Sequence, residues 1–356
     1  MRTLVIAEVG VNHNGSIELA KKLIQKAAEA GADIVKFQTF SADQSVTRSA
    51  PKAEYQTKSG SSAESQYQMI KKLELSPEAH QELFKYCQQA KIEFLSTPFD
   101  LPSIDLLKSL SLKRLKVPSG EITNAPYLLK MAQTGLPLIV STGMSNLQEI
   151  QSALGVLAYG LIGEKSAPSK SAFEEAFKSE KGQEALKANV TLLHCTSEYP
   201  APLDGVNLLA IETLRSTFDL EVGYSDHTEG ASASIAAVTL GASVIEKHLT
   251  LDRNAEGPDH RASMEPEQFK AMVTMIREVE RALGSSHKEP SAGEEKNKLV
   301  ARKSLVAAVA VKKGELFDEG NLACKRPGGG VSPLEYWDWI GKPASRDFAA
   351  DEMVGN

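Results

Sequence analysis

The chain has little cysteine: Cys87, Cys195 and Cys324 are the three among 356 residues, in widely separated contexts. An odd number without a Cys-x-x-Cys pair excludes a disulfide framework and a thiolate metal cluster, so a reducing compartment is expected. Cys195 closes an apolar run and reads as a small buried residue rather than a nucleophile. No apolar stretch approaches the length of a membrane span. The first strand pattern begins at Thr3, without the apolar core of a signal peptide. The expected location is therefore cytoplasmic. Positive charge is not in excess either, since 40 Lys and Arg against 46 Asp and Glu leave a formal net charge of −6. That argues against nucleic acid or an anionic membrane as the main partner. No glycine-rich nucleotide fingerprint follows the first strand pattern. Gly328-Gly329-Gly330 is no phosphate loop, because no helix start follows it at once. What is present is ordinary for a globular protein with a full core, 42% hydrophobic and 24% charged residues. The length suits one large domain and a small one.

Strand-like and helix-like segments alternate for about 280 residues. Strands are expected at residues 3–8, 33–38, 92–97, 114–117, 137–141, 190–195, 221–224 and 243–248, where short apolar runs end at polar residues. Helices are expected at 16–29, 76–89, 100–110, 124–133, 145–158, 207–217, 229–241 and 266–283. Ser16 is a candidate N-cap, and Ser76-Pro77-Glu78 supplies a serine N-cap with proline at the first helical position. Eight strand–helix repeats are the count of a (β/α)8 TIM barrel, whose strands are buried on both sides. A doubly wound open sheet is the alternative. Residues 40–75 are polar and read as a long loop over the barrel mouth. Residues 160–188, rich in Lys, Glu and Ala, read as an inserted surface helix. The expected domains are a catalytic barrel at 1–284, a linker at 285–297 and a small module at 298–356. About 58 residues is marginal for independent stability, so the module is expected to pack against a barrel, its own or a neighbour's.

Chemistry in such a barrel sits at the C-terminal ends of its strands. Those positions carry Glu8; Lys36 and Gln38; Thr97 and Phe99; Lys116, Ser119 and Glu121; Ser141 and Thr142; His194, Ser197 and Tyr199; Ser225, Asp226 and His227; and His248. Two inward lysines on a net-negative chain point to an anionic substrate, a phosphate or carboxylate, with hydroxyls to donate hydrogen bonds to it. Glu8 and Glu121 are candidates for proton transfer. The segments Gly223-Tyr224-Ser225-Asp226-His227-Thr228 and Val244-Ile245-Glu246-Lys247-His248-Leu249-Thr250 each end a strand on a histidine. Two imidazoles on adjacent strand ends can hold one divalent metal with open coordination positions. Taken singly, each is equally a hydrogen-bonded histidine at a strand end.

Together these motifs resemble the sialic acid synthases over essentially the whole length. The matching stretches are Ala7-Glu8-Val9-Gly10-Val11-Asn12-His13-Asn14-Gly15, Val35-Lys36-Phe37-Gln38-Thr39, Ser96-Thr97-Pro98-Phe99, Lys116-Val117-Pro118-Ser119-Gly120-Glu121 and Ser141-Thr142-Gly143-Met144. They continue with His194-Cys195-Thr196-Ser197-Glu198-Tyr199-Pro200, the two histidine segments and Gly257-Pro258-Asp259-His260. The resemblance implies a (β/α)8 barrel followed by a small antifreeze-like (SAF) domain, to which Ala301-Arg302-Lys303-Ser304-Leu305-Val306 and Lys325-Arg326-Pro327-Gly328 are similar. It also implies condensation of phosphoenolpyruvate with an open-chain N-acetylated amino sugar, giving a nine-carbon 2-keto acid and phosphate.

Position by position, the resemblance implies His227 and His248 as metal ligands, for manganese first, with magnesium or cobalt as alternatives. Lys36, Thr97, Lys116, Ser119, Ser141, Ser197 and Ser225 match the phosphoenolpyruvate site, and Gln38, Phe99, Tyr199 and Asp259 the sugar site. Glu8, Glu121 and Lys116 match the groups at the reacting carbons. Arg326 matches an arginine that reaches the sugar from the partner subunit, which implies a domain-swapped homodimer. Ser197 stands where some members have asparagine, and Ser61 replaces a sugar-contacting asparagine in the long loop. The first substrate expectation is N-acetylmannosamine, which would make the chain an N-acetylneuraminate synthase. The alternative is 2,4-diacetamido-2,4,6-trideoxymannose, giving legionaminate. A third reading, a non-catalytic carbohydrate-binding protein, predicts the loss of at least one strand-end group, and Glu8, Lys36, Lys116, His227 and His248 are all present.

Overall fold

The computed structural model describes residues 2–52 and 65–355. The chain divides into two compact units, Met1–Gly284 and Ser285–Asn356. The Ser59–Ser62 run and Ser61 within it lie outside the described residues.

In the first unit the strands are β1 (Leu4–Gly10), β2 (Ile34–Thr39), β3 (Glu93–Pro98), β4 (Leu115–Val117), β5 (Leu138–Ser141), β6 (Val190–Cys195), β7 (Glu221–Asp226) and β8 (Val244–His248). All their ladders are parallel, in the order β3-β2-β1-β8-β7-β6-β5-β4. The first strand pairs with the last, and β3 packs beside β4. The ring therefore closes as a (β/α)8 barrel of the TIM type, and the open doubly wound sheet is excluded.

Side chains alternate along each strand between the barrel interior and the surrounding helices. Ile6, Ile34, Leu95, Ile139, Leu193 and Val244 form a buried apolar cluster of their own. Val5, Ala7, Val35, Phe37, Val140, Leu192, Val222 and Ile245 belong instead to the large layer shared with the helices. Two residues beyond the inner cluster, towards the C-terminal ends, the same faces present Glu8, Lys36, Thr97, Ser141, Cys195 and Glu246. An apolar plug thus underlies a layer of polar groups.

The barrel helices are α1 (Ile17–Glu29), α2 (Pro77–Gln89), α3 (Leu101–Ser109), α4 (Ala125–Ala132), α5 (Leu147–Leu161), α6 (Ala210–Phe218), α7 (Ser232–Thr239) and α8 (Pro266–Leu283). The Ser16 and Ser76 side chains accept the N–H of Leu19 and Ala79, as the N-cap motifs anticipate. Asp33 joins the frame: one carboxylate oxygen accepts Val5 N–H at 2.9 Å and an Arg277 guanidinium N–H at 2.8 Å, tying β1 and the entry to β2 to α8.

Two expectations change. The 160–188 stretch forms two helices, Lys170–Lys178 and Glu180–Asn189, broken at Ser179, which caps the second through Gly182 N–H. They pack on α5, which is therefore buried continuously from Ala153 to Gly160. The insertion covers a helix that would otherwise face water with an apolar side. The expected linker is also part helix. Ser291 and Glu294 form a reciprocal capping box at the start of Ala292–Ala301, a signal that the Gly- and Pro-containing composition obscured. The second unit further holds β9 (Ser304–Ala307) antiparallel to β10 (Leu322–Lys325), over a small core that includes Leu305, Val311, Phe317, Leu322, Phe348 and Val354.

Candidate active site

The polar layer opens into a cavity of about 480 Å³, within the range of small-molecule sites. Its lining brings together Glu8, Lys36, Gln38, Thr97, Phe99, Lys116, Ser119, Glu121, Ser141, Ser197, Tyr199, Ser225, His227, His248 and Asp259. Arg326 belongs to the second unit, where it is exposed and its Nε donates to the Ala301 carbonyl at 3.0 Å.

Two buried lysines organise the floor. Lys36 Nζ lies 2.7 Å from Glu8 Oε1, 3.2 Å from Thr97 Oγ1 and 3.6 Å from Glu246 Oε2. Lys116 Nζ donates to Ser141 Oγ at 2.5 Å and the Val117 carbonyl at 3.1 Å, and stands 3.8 Å from Glu246 Oε1. Burial works against the charge on Lys36, but Glu246 and Glu8 outweigh it and hold the ammonium above the ordinary lysine range. Lys116 goes the other way: burial lowers its pKa despite Glu246, and Lys36 adds to the lowering. An incoming anion would therefore meet one firmly charged lysine and one that gains most from its arrival.

Glu246 is the residue that strand-end reading missed. It is buried, accepts Ser225 Oγ at 2.8 Å, and its Oε2 has no hydrogen-bond donor. It sits two positions before His248, so the alternation of β8 carries the signal: if His248 faces inward, Glu246 does too. The same rule turns His194 away. Its neighbours Leu193 and Cys195 face inward, while its own Nε2 donates to the Val206 carbonyl at 2.7 Å.

Backbone at the mouth is shaped by two glycines. Gly10 has φ +48° where β1 leaves the barrel, and a Cβ there would lie 3.2 Å from Gln38 Nε2 and 3.4 Å from Asp259 Oδ2. At Gly143 a Cβ would come within 2.4 Å of Ser197 Oγ and 2.8 Å of Ser119 Oγ, so the missing side chain is what leaves these hydroxyls room. The Gly143 N–H donates to Ser119 Oγ at 3.1 Å.

The two strand-end histidines converge, with ring centroids 5.6 Å apart and the Tyr199 ring 4.3 Å from His227. His227 Nδ1–H donates to the Thr196 carbonyl at 2.7 Å, which leaves its Nε2 with the lone pair. Burial, reinforced by neighbouring His248, lowers the His227 pKa to about 4, so the ring is neutral at physiological pH. His248 Nε2 is 3.2 Å from Glu8 Oε2, and its Nδ1, buried without a hydrogen-bond partner, is 3.9 Å from Asp259 Oδ2. Burial alone would raise the Glu8 pKa, but His248, Lys36 and Lys116 together carry it well below the carboxylate range. Asp259 moves the other way, raised chiefly by burial against the pull of His248, with Glu8 adding to the rise. Two imidazoles beside carboxylates, with the His227 ring neutral and the His248 Nδ1 orphaned, fit a divalent cation. Among the described residues no group of three or more His, Cys, Asp or Glu is placed to hold a metal ion, which leaves the histidine pair as the candidate ligands. A cation held by the histidine pair would keep positions open.

The cavity lining also carries an apolar patch, Val11, Phe40, Val46, Met69, Ile70 and Leu73, with Ser45 and Gln66 as polar neighbours. Five of the patch residues, Phe40, Val46, Met69, Ile70 and Leu73, come from the 40–75 stretch expected to be a polar loop, which carries short helices at Ala42–Ser45 and Gln66–Lys71.

A closed parallel barrel with lysines, hydroxyls and paired imidazoles at its strand ends defines an enzyme of the barrel synthase type. The NeuB family model matches residues 23–288 and the SAF domain model residues 302–356. The chain belongs to the NeuB family, the sialic acid synthases, which are carbon–carbon bond-forming transferases. It is 51% identical over 353 residues to the N,N'-diacetyllegionaminic acid synthase of Campylobacter jejuni, with 99% of each chain covered. It is 45% identical over 352 residues to the enzyme of the same name from Legionella pneumophila, covering 98% of this chain and 92% of the relative. Among solved structures, the N-acetylneuraminic acid (sialic acid) synthetase from Leptospira borgpetersenii superposes with a TM-score of 0.67 at 32% identity, covering 83% of this chain and 90% of that one. No helix among the described residues is long and apolar enough to cross a membrane.

Proposed function

We propose that the protein condenses phosphoenolpyruvate with open-chain 2,4-diacetamido-2,4,6-trideoxymannose, releasing phosphate and forming N,N'-diacetyllegionaminic acid. The observation that carries the reaction class is the buried Lys36–Glu246–Lys116 array with its hydroxyls, directly beside the His227–His248 pair. The sugar follows from two further supports. The relatives at 51% and 45% identity bear the legionaminate name. The cavity lining also carries the apolar patch of Val11, Phe40, Val46, Met69 and Ile70. A C6 methyl and a C4 acetamido methyl suit such a patch, whereas the free hydroxyls of N-acetylmannosamine would be desolvated against it. The legionaminate alternative thus replaces N-acetylmannosamine as the leading reading.

In this reading Lys36, Lys116, Thr97, Ser119, Ser141, Ser197 and Ser225 hold the phosphate and carboxylate of phosphoenolpyruvate. Gln38, Phe99, Tyr199 and Asp259 orient the sugar. A divalent cation such as manganese, held by His227 and His248, supplies Lewis-acid polarisation of the sugar aldehyde. The enol carbon forms the new C–C bond, and the aldehyde oxygen takes up a proton. Water adds to the electron-poor C2 and gives a proton to Glu121, which Asn124 Nδ2 orients through a 2.6 Å hydrogen bond. The C2–O bond to phosphate then breaks as the C2 hydroxyl becomes the keto C=O and passes its proton to the departing phosphate, whose charge Lys36 and Lys116 balance. Glu8, with its depressed pKa, acts as a fixed anion that orients Lys36 and His248 rather than as a proton shuttle.

Residues 1–284 carry the chemistry, and 285–297 connect them to the antifreeze-like domain at 298–356. The working unit is a domain-swapped homodimer in which Arg326 of the partner subunit meets the sugar's N-acetyl group. Phosphate release with manganese, run separately with the two sugars, tests the proposal. Faster turnover of the trideoxy sugar is expected, and preference for N-acetylmannosamine would overturn the sugar assignment. Arg326→Ala should raise the sugar KM and leave that of phosphoenolpyruvate unchanged; an unchanged sugar KM would refute the swapped contact.

A further inference from the structure

On the outer side of the two histidine-bearing strands lies a charged pair that the proposed reaction does not use. Asp226 and Lys247 are register partners across β7 and β8, each immediately preceding one of the two histidines. Both are 1% exposed, and Asp226 Oδ2 lies 3.0 Å from Lys247 Nζ. Alternation directs them away from the cavity, into the layer of Val222, Ala237, Val238 and Ile245. Their hydrogen bonds converge on the segment around His227. Asp226 Oδ1 accepts the Thr228 N–H at 2.8 Å and Thr228 Oγ1 at 2.8 Å. Asp226 Oδ2 accepts Ser234 Oγ at 2.6 Å, anchoring the turn to α7. Lys247 Nζ donates to the Thr228 carbonyl at 2.6 Å.

A charged pair in an apolar layer is not explained by stability, because desolvating two ions costs about as much as their attraction returns and packed apolar residues do as well. Burial indeed lowers the Lys247 pKa against the pull of Asp226. What the pair does provide is geometry. His227 is clamped between two residues, 226 and 228, that are both tied to Lys247, and Lys247 is bonded directly to His248 in the chain. The spacing of the two imidazoles is therefore held from behind, by one cross-strand linkage.

We propose that Asp226 and Lys247 are positioning residues that set the His227–His248 spacing for divalent-cation binding. This rests on the two-histidine metal reading above. The test is direct titration of the metal-stripped full-length protein with Mn²⁺ alone, followed by calorimetry or by the spin signal of free Mn²⁺. Phosphoenolpyruvate binding without metal serves as the control, since Lys36, Thr97, Lys116, Ser119, Ser141 and Ser197 lie outside β7 and β8, and Ser225 and Glu246 on those strands make none of the hydrogen bonds of the Asp226–Lys247 pair. Lys247→Met should weaken Mn²⁺ binding by about 10–100-fold, as is usual for groups that orient metal ligands, with phosphoenolpyruvate affinity unchanged.

Because Lys247→Met strands a buried carboxylate, the charge-neutral Asp226→Asn/Lys247→Met variant is measured beside it. Its Tm should recover towards wild type while Mn²⁺ affinity stays low, a split that a merely structural pair would not give. A folded double variant that binds Mn²⁺ like wild type overturns the inference, as does parallel loss of Mn²⁺ and phosphoenolpyruvate affinity. Wild-type protein that fails to bind Mn²⁺ would instead bring down the two-histidine reading, and this inference with it.

Discussion

Replacing Glu8 with glutamine tests the electrostatics of the floor most sharply, because the carboxylate is isosteric with the amide and fully enclosed. The change removes the negative charge 2.7 Å from Lys36 and 3.2 Å from His248, while the amide oxygen can still accept one hydrogen bond. Removing one member of a buried pair costs about 3–5 kcal/mol. Lys36 still keeps Thr97 at 3.2 Å and Glu246 at 3.6 Å, so the lower end, about 3 kcal/mol, is expected. For a barrel of this size that corresponds to a fall in Tm of ~6 °C.

The pH dependence follows from the sign of the shift. The folded-state pKa of Glu8 lies below its ordinary value of 4.5, so the ionised form is favoured by folding. Its contribution is fully present above about pH 4.5 and is lost as the pH falls from there towards the folded pKa. Once protonated, wild-type Glu8 becomes the electrostatic equivalent of glutamine. Thermal unfolding of both proteins from pH 8 down to pH 3.5 should therefore give a constant Tm gap above about pH 5 and a narrowing gap below pH 4.5. A gap that keeps its full width down to pH 3.5, or no gap at neutral pH, would refute the reasoning.

Gly143→Ala should fill the space between Ser119 and Ser197, where the added carbon would meet hydroxyl oxygens at 2.8 and 2.4 Å. Steady-state kinetics should show the phosphoenolpyruvate KM raised about tenfold, the loss of one hydrogen bond to a charged group, with the sugar KM unchanged. Met69→Gln puts a polar group into the apolar patch, and competition between the two sugars should shift by about tenfold towards N-acetylmannosamine. Asp33→Ala removes the acceptor of Val5 N–H and of Arg277, far from the cavity. It should cost about 1–3 kcal/mol by denaturant unfolding and leave kcat at 25 °C intact.

Much of this molecule was legible in its residues. The eight strand–helix repeats follow from apolar period and capping motifs, because those are local properties of a backbone that must satisfy its own hydrogen bonds. Ser16 and Ser76 announced their helices for the same reason. Most of the strand-end residues read as chemical meet around one cavity, with Thr142, His194 and Asp226 as exceptions, since in a parallel barrel every strand delivers its C-terminal end to the same mouth. The order of motifs likewise sufficed to assign the chain to its family.

Other features depended on the folded chain. Whether a strand-end side chain faces the cavity depends on the phase of its strand about the barrel axis, which packing against neighbours decides: Glu246 turned in and His194 turned out. The insertion at 160–188 became intelligible only when its two helices were found on α5, a contact between segments that no local pattern connects. The apolar patch at Met69, Ile70 and Leu73 emerged from a stretch whose composition is polar, because only its inward residues count. Protonation belongs to the tertiary structure too. Glu8 and Asp259 are both buried carboxylates at one mouth, yet their pKa values move in opposite directions. Coulomb energy falls with distance, so the short contacts of Glu8 to Lys36 and His248 outweigh its burial, whereas at Asp259 burial and the neighbouring Glu8 win; residue type decides neither.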